Sequence, residues 1–294
     1  MSEAAAAAAR AQQAFLRACT LDVAVPKPGN VSVASPGHRM TAAQFIASAE
    51  AAAPALCRIG ARVGERIEAA VAATWAVVDC NTNLGIVLLC APLAAAAERV
   101  VGSASADDWR AAVGAVLGEL DVADAAAAFR AIACANPGGL GDAPAQDVRA
   151  APSVGLREAM AMAAARDRIA AQYATGFADV FDSGLPAFAP ASAVLQRWSR
   201  DAAPPTALAH AVQRCWLALL GAFPDSHIVR KQGAALAQTV MRQAQACRFA
   251  SAPDGAAWAD WDRQLKADAI NPGTTADLTV ASLMLAGLLD PGQD

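Results

Sequence analysis

The chain has 294 residues, 56% of them hydrophobic but only 5% aromatic, and a formal net charge of −4. That balance excludes a general nucleic-acid surface or an anionic-membrane surface, while a local basic pocket for a nucleotide stays open. Much of the apolar content is alanine, the strongest helix former, and β-branched runs are scarce. The composition therefore predicts an all-α protein, one compact multi-helix domain of about ten helices over residues 1–294.

Ser2 is placed to cap a first helix from Glu3 to Val23, with Phe15, Leu16, Cys19 and Val23 on its apolar face. Pro26 and Pro28 stop it, because the residue before a proline is pushed out of the α region. After a loop through Pro36-Gly37, Thr41 caps a helix that Pro54 kinks or restarts. Arg66–Cys80 reads as a helix apolar enough for burial on most sides, and Leu84 to Val100 as another. Ser105-Ala106-Asp107-Asp108 opens a further helix, its acids in the first turn where they suit the dipole. Asp121–Cys134 is alanine-rich helix, and the stretch from Asn136 to Pro152 is irregular.

A long helix is expected from Gly155 to Asp182, with Met160, Met162, Ile169, Tyr173, Phe177, Val180 and Phe181 as its apolar positions and Ser183–Pro186 as its end. Shorter helices follow over 192–200, 206–222, 228–248, 254–266 and 276–289. Nothing in the chain reads as an interdomain linker. Seven cysteines without CxxC or CxH spacing are an odd number, which forbids complete pairing; reduced, buried residues are expected. The first residues lack a basic signal-peptide region, and the longest apolar run, Leu84–Ala97, contains Gly85 and Pro92 and is too short for a bilayer. A soluble cytoplasmic protein is expected.

Four polar islands interrupt the helices. In Pro26-Lys27-Pro28-Gly29-Asn30-Val31-Ser32, two prolines stiffen the segment around a lysine, Gly29 permits close backbone approach, and Asn30 and Ser32 add donors. This suits a phosphate clamp, or equally a rigid surface turn with a solvated lysine. Asn81-Thr82-Asn83-Leu84-Gly85 lies between two apolar helices. Thr82 or Asn83 could cap the second helix and Asn81 close the first, or these groups could recognise a ligand.

Asp225-Ser226-His227 followed by Arg230-Lys231 reads as a helix N-cap, or as a metal-binding carboxylate beside two phosphate-binding cations. The three histidines, His38, His210 and His227, lack zinc-site spacing. Asn271-Pro272-Gly273-Thr274-Thr275-Ala276-Asp277 offers Thr274 or Thr275 as N-cap of the last helix, with Asp277 in its first turn. The exposed N–H groups there would bind an anion, and the acid would be reconciled with it through Mg²⁺. Further carboxylates, Asp22, Asp79, Asp142, Asp147 and Asp167, stand near helix ends or loops and singly read as solvated.

Taken in order, Asp22-Val23 with Pro26–Gly29, Asn81–Gly85, Asp225 with Arg230 and Gly233, and Asn271–Leu278 resemble the triphosphoribosyl-dephospho-CoA synthase family over residues 15 to 289. Members of that family usually carry His and Lys at the positions of Asn83 and Leu84, Glu at Asp22, and Gly and Ser at Thr274 and Thr275. The present pattern, with Arg166–Tyr173, is more similar to the branch found in archaea and in bacteria with tetrahydromethanopterin-linked one-carbon metabolism.

The resemblance implies an all-α enzyme that moves the triphosphoribosyl group of Mg-ATP to a hydroxyl of dephospho-CoA or a related nucleotide and releases adenine. It further implies that Lys27, Arg230 and Lys231 meet the triphosphate and that Asp225 and Asp277 hold Mg²⁺. Asp22 would be base or oxocarbenium stabiliser, with Asp277 also catalytic. Asn81, Asn83, Asn271 and Thr274 would orient ribose and base, with Gly29, Asn30, Ser32, Thr82, Gly85, Gly273 and Thr275 completing the nucleotide site. The rivals are a nucleotide-dependent transferase or hydrolase of one-carbon cofactor biosynthesis, and a non-catalytic helical protein that binds a nucleotide or partner. Alanine-rich helix faces pack closely and are compatible with a homodimer.

Overall fold

The computed structural model describes residues 2–100, 102, 104–135, 146–247 and 255–289. In chain order its α-helices are Glu3–Ala24 (α1), Ala42–Leu56 (α2), Val63–Val78 (α3), Leu84–Ala97 (α4), Ala106–Gly118 (α5), Val122–Ala135 (α6), Leu156–Ala163 (α7), Arg168–Thr175 (α8), Leu185–Phe188 (α9), Ser192–Arg197 (α10), Thr206–Ala222 (α11), Ser226–Gln232 (α12), Ala234–Cys247 (α13), Ala256–Ala267 (α14) and Gly273–Leu289 (α15). Among the described residues there is no strand, only an isolated bridge between Gly37 and Met40. The all-α expectation holds. No described helix is long and apolar enough to cross a membrane.

Several helix ends differ from the sequence reading for identifiable reasons. The single helix expected over 155–182 is broken: Asp167 turns out of the helix and accepts from the amides of Ile169 and Ala170, and Gly176 closes α8 in the left-handed conformation. A wide helical turn, Val180–Gly184, then runs straight into α9, so Ser183–Pro186 lies within helical chain instead of ending it. The helix expected over 228–248 divides at Gly233, whose φ is +93°. Pro54 sits inside α2 without restarting it. Helix α3 buries a stripe (Val63, Ile67, Ala70, Val71, Thr74) while Val77 is exposed, so it is amphipathic and not buried on most sides. Residues 136–145, with most of the expected irregular stretch and Asp142, lie outside the described residues.

The chain gathers into two compact units, Met1–Leu16 with Ala47–Ala178, and Arg17–Ile46 with Asp179–Asp294. Two of the boundaries fall inside α1 and α2, which is why no linker composition marks them. In the first unit α3 packs on α4 and α6, α4 on α5 and α8, and α7 on α6 and α8. Nearly every side chain of α4 is buried, and the Tyr173 hydroxyl donates to its Leu88 carbonyl at 2.6 Å.

In the second unit α11 packs against α9, α13 and α15, and α12 against α13 and α15. Trp216, Leu217, Leu220, Ile228, Trp261, Leu265 and Ile270 form one apolar cluster. The indoles of Trp216, Trp258 and Trp261 meet edge to face at 5.7–5.8 Å between ring centres, an arrangement favoured by the aromatic quadrupole. Of the cysteines, all free, Cys134 is exposed and Cys80 and Cys247 are half-buried, against the expectation that all are interior.

Candidate functional site

Three of the four islands come together in the second unit. The turn after α1 is held by α11 and α14: the Pro26 carbonyl accepts from Gln213 Nε2 at 3.0 Å and Trp258 Nε1 at 3.2 Å. Asp262 is the hub of this attachment. Its Oδ1 accepts from the Gly29 amide at 2.8 Å, and its Oδ2 from Ser35 Oγ and Lys266 Nζ. Lys266 Nζ also donates to the Ser35 carbonyl, and the His38 ring donates from Nε2 to the Gly29 carbonyl at 2.8 Å. Gly29 has φ +79°, and a Cβ there would fall 2.8 Å from the Ile270 carbonyl oxygen and Pro272 Cδ. Glycine thus serves the crossing of two protein segments. Ser32 is likewise turned inward, its Oγ accepting from the Ser35 amide.

Asn30 joins this turn to the last island. Its Nδ2 donates to Asn271 Oδ1 at 2.9 Å and to the Pro272 carbonyl at 3.2 Å. A carbonyl only accepts, so the amide orientation is determined, and the buried Oδ1 is left without a hydrogen bond. Helix α15 begins at Gly273, earlier than the expected 276, and the Ala276 amide donates to the Pro272 carbonyl. Neither Thr274 nor Thr275 is the N-cap. Both are buried, and Thr275 instead donates from its amide and its hydroxyl to Asp225 Oδ2, both at 2.7 Å.

Asp225 is 0% exposed and caps α12 at the same time, its Oδ1 accepting from the amides of His227 and Ile228 at 2.8 and 3.1 Å. Four donors on two oxygens use all the lone pairs of a carboxylate. Burial pushes this carboxyl above its usual range, against the four hydrogen bonds that favour its ionised form. A metal at Asp225 would have to displace donors that begin two helices. Among the described residues no three His, Cys, Asp or Glu side chains gather as a metal site. Asp277 lies one turn into α15, half-buried.

His227 lies against the first residue of α15: a Cβ on Gly273 would meet its Nδ1 at 3.2 Å and its Cγ at 3.3 Å. The ring nitrogen Nε2 is buried without a hydrogen bond. Burial, then Lys231, Arg230 and His38, push the imidazole down to about 4, so it is neutral at pH 7. The cations responsible include Arg230, half-buried, and Lys231, exposed, in the last turn of α12.

Lys27 is enclosed against the end of α1. It is 1% exposed, so the solvated surface lysine is excluded. Its ammonium donates to the carbonyls of Asp22 and Val25 and lies 3.0 Å from Asp22 Oδ1. That last contact is an ion pair without hydrogen-bond geometry, and Oδ1 itself accepts no hydrogen bond.

The fourth island belongs to the first unit. Asn81 Oδ1 accepts from the Leu84 amide at 3.2 Å, so Asn81 caps α4, while Asn83 occupies the cap position without a side-chain cap bond. Asp79, in the left-handed conformation, closes α3 in place of Asn81. Thr82 Oγ1 donates to Ser48 Oγ at 2.6 Å, and Asn83 Nδ2 to Thr74 Oγ1 at 3.0 Å. These groups satisfy one another. Gly85 follows in the first turn of α4.

Gln213, Trp258, Asp262 and Lys266 were invisible as site residues in the sequence. Asp262 and Lys266, four apart on a helix, have the signature of a solvent-facing ion pair, and only the fold turns them onto the 26–35 loop.

The model of one protein family, CitG, described as ATP:dephospho-CoA triphosphoribosyl transferase, matches residues 8–294. The chain belongs to the CitG family. The family's description is that of a transferase. A solved structure from Archaeoglobus fulgidus, provisionally assigned as a triphosphoribosyl-dephospho-CoA synthase, has a TM-score of 0.62 and 24% identity, and the match covers 84% of this chain and 98% of that one. At that identity the likeness establishes the CitG-type fold alone. No curated protein matches the chain.

Proposed function

We propose that this CitG-family protein transfers the triphosphoribosyl group of ATP to a hydroxyl of dephospho-CoA or a closely related nucleotide. The observation that carries this reading is the meeting of the 26–35, 225–231 and 271–275 segments in one unit. Buried polar atoms are left unpartnered there, Asn30 Oδ1 and His227 Nε2 among them. Such atoms are costly unless a ligand or water completes them, and they stand beside the cations of α12. The family match over 8–294 also supports treating 1–294 as one functional domain.

In this reaction the acceptor oxygen forms a bond to the anomeric carbon of ATP as the bond to the adenine nitrogen breaks. The hydroxyl proton passes to a base, and adenine leaves carrying the bonding pair and a proton. The triphosphate stays on the sugar. Positive charge develops on the ribosyl ring, so an adjacent carboxylate lowers the barrier. Asp22, nearly buried at the end of α1, is the carboxylate assigned to that charge or to the proton. Arg230 and Lys231 are assigned to the triphosphate, and Asn271 with Asn30 and Thr274 to ribose and base. The family resemblance also extends a ribose and base role to Asn81 and Asn83, whose own hydrogen bonds in the first unit are internal. Mg²⁺ is assigned as counter-ion of the triphosphate, with Asp277 the remaining candidate carboxylate once Asp225 is committed to capping.

The test is incubation of the full chain with ATP, Mg²⁺ and dephospho-CoA, following adenine by chromatography and the acceptor by mass spectrometry. Adenine release with a matching mass gain on dephospho-CoA is expected. No adenine with that acceptor or with cell extract would remove the reading. Asp22→Asn is expected to lower kcat by about 10²–10⁴-fold.

A further inference from the structure

Lys27 invites assignment to the triphosphate because it is a cation on a proline-stiffened turn. Its surroundings argue otherwise. An ammonium has three donors; the carbonyls of Asp22 and Val25 accept from two of them, and the carboxylate Oδ1 of Asp22 lies 3.0 Å away as charge partner. The side chain is wholly enclosed. The backbone on either side is immobilised, with the Pro26 carbonyl held by Gln213 and Trp258 and the Gly29 amide by Asp262. Lys27 is therefore aimed back at the end of α1 and cannot swing toward a ligand without leaving two carbonyl acceptors and its charge partner.

The same geometry acts on Asp22. Its Oδ1 is buried, accepts no hydrogen bond, and has the Lys27 ammonium 3.0 Å away as its charge partner. A carboxylate whose position is set by an enclosed ammonium suits a group that must face a reacting sugar carbon. We propose that Lys27 is a positioning residue for the transfer reaction, holding the Asp22 carboxylate in place, and is not a ligand of the triphosphate. This rests on the reading of Asp22 as the carboxylate at the reacting centre, and the experiment separates the two.

The full chain is assayed with ATP and dephospho-CoA as native protein, Asp22→Asn, Lys27→Met, Lys27→Arg and the Asp22→Asn/Lys27→Met double variant. ATP affinity is measured by calorimetry and folding by circular dichroism. Lys27→Met is expected to lower kcat by about 10²-fold or more while the ATP Kd changes less than about threefold. Lys27→Arg, which keeps a cation, recovers part of that loss. The double variant is no slower than Asp22→Asn alone, because the two residues act as one unit.

A tenfold or greater rise in ATP Kd with kcat retained overturns the proposal in favour of a phosphate clamp. Unchanged kcat and Kd, with only a lower melting temperature, overturn it in favour of a helix-end brace. An inactive Asp22→Asn beside a fully active Lys27→Met sinks the proposal alone; a fully active Asp22→Asn sinks the assignment of Asp22 and the proposal with it. Should Lys27→Met fail to fold, Lys27→Arg decides: its ATP Kd stays native and its kcat falls, or the proposal is wrong.

Discussion

The Asn81–Gly85 segment and the Asn271–Thr275 segment look alike in sequence, each a polar island between apolar helices, yet they are completed in opposite ways. In the first unit Asn81, Thr82 and Asn83 find their partners in the Leu84 amide, Ser48 and Thr74. In the second, Asn30 and His227 lie beside the 271–275 turn with buried atoms that no group among the described residues completes. A satisfied polar network stabilises a fold; an incomplete one costs stability unless a ligand or water completes it. Polarity alone does not separate the two cases, and hydrogen-bond completion does.

The comparison can be broken most forcefully at Asp225. Asp225→Ala leaves several buried donors unpartnered, at about 1–3 kcal/mol each, and is expected to destabilise the protein by about 3–5 kcal/mol in urea unfolding. An unaltered midpoint together with lost Mg²⁺ dependence would restore the metal role. A smaller effect is expected in the satisfied network. Thr82→Val removes the donor to Ser48 and should cost about 1–2 kcal/mol, with KM for ATP unchanged. A large rise in KM would place this network at the nucleotide and erase the contrast.

Lys231→Ala removes an exposed cation from the incomplete site and should weaken ATP binding by about 1 kcal/mol, less at high salt. An unchanged Kd at low salt would take α12 out of the triphosphate site. The least change is expected in the pH dependence of stability. His227 is held down to about 4 in the folded protein by burial and by Lys231, Arg230 and His38, against 6.5 ordinarily. The unfolded chain therefore takes up the proton first, so stability is full above about pH 6.5 and declines as pH falls toward about 4. His227→Gln should flatten that decline, and an identical pH profile would show that the ring is not held neutral.

The helical class was legible from the chain because alanine abundance and apolar periodicity act locally, and α1, α5, α6 and α11 lie within a few residues of their expected limits. The ends that were missed depend on side chains folding back on the backbone, as Asp167 does, or on a single glycine φ, as at Gly233. The islands themselves were legible as clusters of Pro, Gly, Asn and Asp. Their roles were less so: Lys27 reads as a free cation, and Asp225 as a cap or a metal ligand, until their partners are known. The attachment of the 26–35 loop by Asp262 and Lys266 left no mark, since the pair looks like any surface i,i+4 pair.

Composition and periodicity determined by themselves that this chain would be helical, and four ordered islands pointed to the CitG family. Tertiary structure decided which charges are available for chemistry. Whether a carboxylate or an ammonium can meet a ligand depends on how many of its lone pairs or protons are already taken, and those are taken by residues up to 233 positions away in the chain. Asp225 is filled by such a contact with Thr275 and Lys27 is enclosed against its neighbours Asp22 and Val25, whereas among the described residues Asn30 and His227 are left incomplete. Local sequence encodes the donors and acceptors, but only the folded chain counts how many remain.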